Sequence, residues 1–166
     1  VFGYPGKTSE YLPDVAIEQI AFELNLAKIE IREKALKLMD GFMRKDNAVK
    51  IQYASKYAST ANYWKKWIGE SKGIKKSNAV AIKKEQEKIF QKEVIKAGKQ
   101  AEYGNLLADF EKNYTEIAPY ALSRDYFIET VLRNTELLSV AYKAYQLEQI
   151  YYTKGEQSFT DRKNNL

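Results

Sequence analysis

Neither cysteine nor histidine occurs among the 166 residues. That excludes a disulfide, a Ser-His-Asp or Cys-His catalytic set, and a zinc site of the usual ligands within this chain. Proline and glycine are scarce, at three and eight, too few to punctuate a sandwich of many short strands. No stretch approaches the roughly 20 uninterrupted apolar residues of a membrane span. An excess of one charge is also lacking: 27 Lys and Arg stand against 22 Asp and Glu, a net charge of +5 with the acids interleaved. Long-range attraction to a polyanion is therefore weak, and the missing cysteines leave the redox compartment open. What remains is 45% hydrophobic and rich in Ala, Glu, Lys and Leu, a composition that favours helix. The length suits one domain burying about two thirds of its unfolded surface. The opening Val1, with methionine only at Met39 and Met43, reads as an excised internal piece.

Hydrophobic spacing predicts an all-α fold: an antiparallel bundle of about four long helices with a short extended N-terminal segment. In residues 1–12, Pro5 and Gly6 set a turn between aromatic and β-branched residues, as a strand end and loop would. From Pro13 the period becomes 3.6, with Ile17, Ile20, Leu24, Ala27, Ile31, Ala35, Leu38 and Phe42 on one face of a helix of about eight turns. The segment Lys45-Asp46-Asn47 offers an N-cap to a second helix striped by Ile51, Ala54, Ala58, Ala61, Trp64 and Ile68, which Gly69 and Gly73 should end. Ser77 or Asn78 caps a third, with Ile82, Ile89, Phe90, Val94 and Ala97 and then Leu107 and Phe110 in phase. Whether this is one helix of roughly forty residues or two joined near Gly98 stays open, because an interior glycine costs only about 1 kcal/mol. Pro119 should stop it. A fourth helix spans about 120–152 with Phe127, Val131, Leu138, Ala141 and Tyr145 inward, and the polar tail 153–166 reads as loop or cut end.

Three constellations invite function. Lys84, Lys88, Lys92 and Lys96 form a ladder of like charge, a stripe for nucleic acid or anionic lipid, although Glu85, Glu87 and Glu93 alternate with it as on a solvated face. Tyr53, Tyr57, Tyr63, Trp64 and Trp67, interleaved with Lys65 and Lys66, could stack on bases or sugars, or form core and rim. Ser55, Ser59, Asn62, Lys66 and Gly69 recur at four-three-four-three spacing, so small and polar groups line one helix face. Such a face leaves room for a ligand, and Asn62 there offers donors and an acceptor. A plain exposed strip is the alternative.

Two stretches, GYPGKTSEYLP (Gly3 to Pro13) and YASTANYWKKWIGESKGIKK (Tyr57 to Lys76), resemble the bacterial dipeptidyl-peptidases of serine peptidase family forty-six. The resemblance implies a chymotrypsin-like double β-barrel that carries the His, Asp and Ser of the triad outside this chain, with a helical domain inserted between its Asp-bearing and Ser-bearing parts. On that basis residues 1–12 end a barrel strand and loop, 13–152 form the helical cap, and 153–166 lead out of it. By its motif position Asn62 is the residue that helps hold the free α-amino group of the peptide, while the pocket for the second residue belongs to the barrel. No catalytic residue, metal ligand or cofactor site falls to this chain. The implied partners are the parent's own catalytic barrel and the peptide N-terminus, compatible with a homodimer, with no nucleic acid and no membrane span. The implied location is periplasmic, cell-surface or secreted. The other class of function for such a sequence is a free-standing basic helical module that binds protein or polyanion.

Overall fold

The computed structural model describes residues 11–164, and every regular element among them is helical. In chain order these are α1 (Asp14–Gln19), a π-helical turn (Ile20–Leu24), α2 (Asn25–Met43), α3 (Asn47–Lys76), α4 (Ala79–Lys96), α5 (Gln100–Tyr103), α6 (Leu106–Phe127), a second π-helical turn (Ile128–Leu132) and α7 (Glu136–Asn164). The all-α expectation is met. The expected extended segment and Gly-Tyr-Pro-Gly turn lie outside the described residues, apart from Tyr11 and Leu12, which are not helical. None of the described helices is long and apolar enough to cross a membrane. The chain divides into two compact units, the first ending at Asp125 and the second beginning at Tyr126.

The first unit is organised by the hairpin of α2 and α3. Within the segment expected to cap it, Asp46 is the residue that begins α3, its Oδ1 accepting from the backbone N–H of Ala48 at 2.7 Å and of Val49 at 3.4 Å. Partners then run backward along α3 as they run forward along the first helical stretch, the mark of an antiparallel pair. Ser71 Oγ donates to the Ala21 carbonyl at 2.8 Å, Asn25 Nδ2 donates to Glu70 Oε2 at 3.2 Å, and Arg32 Nη1 donates to the Thr60 carbonyl at 3.3 Å. The face of α3 that meets α2 carries Tyr53, Tyr57, Thr60, Trp64, Trp67, Ser71 and Ile74, all buried or half-buried, at the four-three spacing of a helix seam. This corrects the predicted stripe. Trp64 belongs to the seam, but Ile51, Ala54 and Ala58 are exposed, and so are Leu38 and Phe42 at the far end of α2. The seam selects aromatic and hydroxyl side chains over alanine because α2 presents Asn25, Lys28 and Arg32 to it, and those groups need rings and oxygens as partners.

Helix ends depart from the sequence reading in physically instructive ways. Gly69 and Gly73 do not end α3, which continues to Lys76, since one interior glycine costs about 1 kcal/mol and tertiary packing outweighs it. The stop is Asn78 with φ of 54°, a left-handed residue of the kind that asparagine tolerates best after glycine. The choice left open at Gly98 resolves as a break: its φ is +66° and α4 ends at Lys96, followed by the single turn of α5. Pro119 lies inside α6 rather than at its end. The buried Gln19 donates through Nε2 to the Tyr114 carbonyl at 3.0 Å, an external donor close to the turn that the proline weakens.

In the second unit the predicted helix of residues 120–152 is interrupted at 133–135 by the end of a π-helical turn, closed by a bond of 2.9 Å from Arg133 N–H to the Ile128 carbonyl. The tail from Thr153 is helical to Asn164 rather than irregular, with a kink at Gly155, whose φ is 81°. Lys, Glu, Gln and Arg are good helix formers without an apolar period, and Gln157 Nε2 donates to Asp161 Oδ1 one turn on at 3.0 Å. Of the residues expected inward, Val131 is half-buried, while Phe127, Leu138, Ala141 and Tyr145 are exposed.

The start of α1 is held from a distance. Pro13, its N-cap, gives no side-chain bond, and Glu87 of α4 accepts the Asp14 backbone N–H through Oε1 at 2.9 Å. Burial and then the adjacent Asp14 carboxyl push the Glu87 carboxyl above its ordinary range, against the backbone bond and Lys83, which act the other way. A carboxyl whose folded pKa is raised favours the fold most below its unfolded value, and that advantage is lost as pH rises through the folded value. The wild-type chain should therefore gain stability relative to Glu87→Gln as pH falls from neutrality through the raised pKa toward the ordinary carboxylate range, and urea unfolding of both at several pH values measures it. A constant difference would contradict the coupling. Trp67→Ala should cost about 3–5 kcal/mol, the range for deleting a buried aromatic, read in the same titration at neutral pH.

Candidate functional site

Each turn of a helix advances by about 100° per residue. Ser55, Ser59, Asn62, Lys66 and Gly69 each follow an inward residue of the seam by two positions, which turns them about 200° away from α2. All five are exposed, and a Cβ built on Gly69 or Gly73 would meet nothing within 4 Å. The face read from the sequence is thus the outer face of α3, open along its length. Asn62 sits at its middle, its amide without a protein partner among the described residues.

The turn that carries Asn62 is fixed from behind. Arg32 is buried, its guanidinium lies 5.3 Å from the centre of the Tyr63 ring and 4.7 Å from that of Trp67, and the two rings are themselves 5.9 Å apart. Lys28, one turn earlier on α2, places Nζ 4.7 Å from the Trp67 ring and 3.4 Å from Asp125 Oδ2, and Asp125 is gripped in turn by Arg124 at 2.8 Å. Cations against aromatic faces are worth more when water is excluded, and here Lys28 and Asp125 are only 16% and 9% exposed. Most of the aromatic cluster is therefore seam. Trp67 is buried, Tyr53, Tyr57 and Trp64 are half-buried, and only Tyr63, 48% exposed, offers a ring to solvent.

The lysine ladder lies elsewhere. Lys84, Lys88 and Lys92 border an open groove of about 550 Å³ between α1, α4 and α6, and Asp14, Glu18, Glu87 and Glu111 line the same groove. Lys88 also pairs with Glu85 at 3.1 Å and Lys96 with Glu93 at 3.8 Å. Like charges one turn apart repel, and acids on the same helix and across the groove relieve that repulsion. Sequence reasoning did not anticipate Arg32 or Lys28 at the back of the Asn62 turn. Their spacing of four on the first helix was the available signal, masked by the apolar residues around them. No cluster of three or more metal-ligating side chains occurs among the described residues.

The Asn62 face can accept a hydrogen bond through the amide oxygen and donate through the amide nitrogen. Comparison with known proteins adds the context. The profile of the family described as Peptidase S46 matches residues 1–165. An Asp/Glu-specific dipeptidyl-peptidase of Flavobacterium psychrophilum is 72% identical over the whole chain, and one of Capnocytophaga gingivalis is 56% identical over the same span. Dipeptidyl-peptidase 7 of Porphyromonas endodontalis is 34% identical over 84% of the chain, which is 17% of that relative's length. The chain spans about 23% of the length of the first two relatives. On the strength of the match over nearly its full length, the chain belongs to the Peptidase S46 family.

Proposed function

We propose that this chain is the substrate-capping helical part of a larger serine-type dipeptidyl-peptidase, periplasmic or secreted, which releases dipeptides from peptide N-termini, and that Asn62 helps bind the substrate α-amino group. The observation that carries the reading is the position of Asn62: a solvent-open amide at the middle of the outer face of α3, inside the segment whose resemblance suggested the role. A peptide ammonium is a donor without an acceptor site. An amide carbonyl oxygen meets it with a charge-assisted bond, stronger than a neutral one. Mounting that oxygen on a long helix locked to its neighbour keeps it in place, which is what an exopeptidase needs if it is to measure a fixed distance from the N-terminus to the scissile bond.

The absence of histidine and cysteine from the sequence accords with a division of labour in which the nucleophile and its base belong to the catalytic barrel. The barrel and the peptide N-terminus are then the chain's partners. The two relatives named as Asp/Glu-specific share more than half of its residues, and we extend that preference to the parent of this chain. The pocket that reads it lies in the barrel.

In the intact enzyme, Asn62→Ala should lower kcat/KM for peptides with a free N-terminus by about 1–3 kcal/mol, the scale of one hydrogen bond to a charged group. Unchanged kcat/KM would remove Asn62 from the site. On a peptide series differing only in the second residue, Asp and Glu should be released fastest, and a preference for apolar residues would contradict the assigned specificity.

A further inference from the structure

We propose that Arg32 is the positioning residue for Asn62, an inference that rests on the reading of Asn62 as an acceptor for the peptide ammonium. Arg32 stands on α2, and its contacts on α3 bracket Asn62. Its Nη1 donates to the Thr60 carbonyl at 3.3 Å, two residues before Asn62, and its guanidinium lies 5.3 Å from the ring of Tyr63, one residue after it. The Trp67 ring, one turn further on, is 4.7 Å from the same guanidinium. One side chain thus holds the backbone on one flank of Asn62 and the aromatic rings on the other. It does so from within the seam, where Arg32 is 7% exposed.

The physical case concerns rotation of α3 about its own axis. A seam of side-chain packing resists separation of two helices better than it resists a small roll, because neighbouring rotamers accommodate a few degrees. With side chains the helix radius is about 5–6 Å, so a roll of about 10° carries a tip on the outer face through roughly 1 Å. A displacement of that size at a positioning group can cost up to about a hundredfold in rate. The guanidinium opposes the roll at the turn that matters: its bond to a main-chain carbonyl fixes the helix itself, and its contacts with the Tyr63 and Trp67 rings hold the flank beyond Asn62. Lys28 touches the Trp67 ring, a turn away from Asn62, and as a point charge it does not select an orientation of the ring plane.

The test is a double-mutant cycle in the intact parent enzyme, scored as kcat/KM on a dipeptide substrate with a free N-terminus. Arg32→Met should lower kcat/KM about tenfold when Asn62 is present and should add nothing when Asn62→Ala is already in place, the signature of a residue acting through another. An N-acetylated version of the substrate, whose amide nitrogen carries no charge, should be insensitive to Arg32→Met. An equal loss in both backgrounds, an equal loss on the acetylated substrate, or no loss at all overturns the proposal. Should Arg32→Met fail to fold, Arg32→Lys keeps the charge, loses the planar fork and runs the same cycle with the same criteria. A silent Asn62→Ala overturns the underlying reading of Asn62, and the proposal with it, whereas a strong Asn62→Ala with an additive Arg32 effect overturns the proposal alone.

Discussion

The contact of two cations with one indole organises the first unit. Lys28 and Arg32 lie one turn apart on α2 and both reach the Trp67 ring at 4.7 Å. Each would be costly to bury on an apolar surface. The ring faces, the Thr60 carbonyl and the Asp125 carboxylate make the burial tolerable. Because these partners are directional, they determine which side of α3 faces α2, where a wholly apolar seam would leave several rotations of similar energy.

The outer face of α3 follows from that choice. With a period near 3.6, locking Thr60, Trp64 and Trp67 inward commits Asn62, Lys66 and Gly69 outward. The two halves of the helix therefore do different work: an inner half dense in aromatic and hydroxyl groups that fixes the helix, and an outer half of small and polar groups that leaves room for something else to approach. Around this hairpin the structure is less dense. Ile82, Ile89 and Ile95 of α4 and Ile117 and Tyr120 of α6 are more than half exposed, a proportion of uncovered apolar surface that suits a chain spanning about 23% of its relatives' length.

Much of this was legible in the amino-acid order. The helical period from Pro13, a cap within Lys45-Asp46-Asn47 and the outer strip of α3 depend on local rules, and the structure follows them. The stripe assigned to the inner side of α3 was out of phase because Ile51, Ala54 and Ala58 look like core by composition, while the true seam uses tyrosine, threonine and serine, whose burial depends on what α2 offers. Pro119 and Gly69 misled for a related reason: both are breakers in isolation and both are carried by packing that sequence spacing cannot convey. The π-helical turns at Ile20–Leu24 and Ile128–Leu132 have no sequence signature. The place of Asn62 on an open face was readable from spacing. The clamp behind it was not, because Arg32 and Thr60 are 28 residues apart and only the hairpin brings them together.

The central claim is that the outer face of α3 is where the parent enzyme receives the N-terminus of its peptide. A crystal structure of the full-length enzyme with a dipeptide product bound tests it most directly. The account predicts the dipeptide ammonium within hydrogen-bonding distance of Asn62 Oδ1, with the contacts of Arg32 with Tyr63 and Trp67 intact behind it. A dipeptide whose ammonium is held wholly by other residues, with the outer face of α3 turned to bulk solvent, would contradict it.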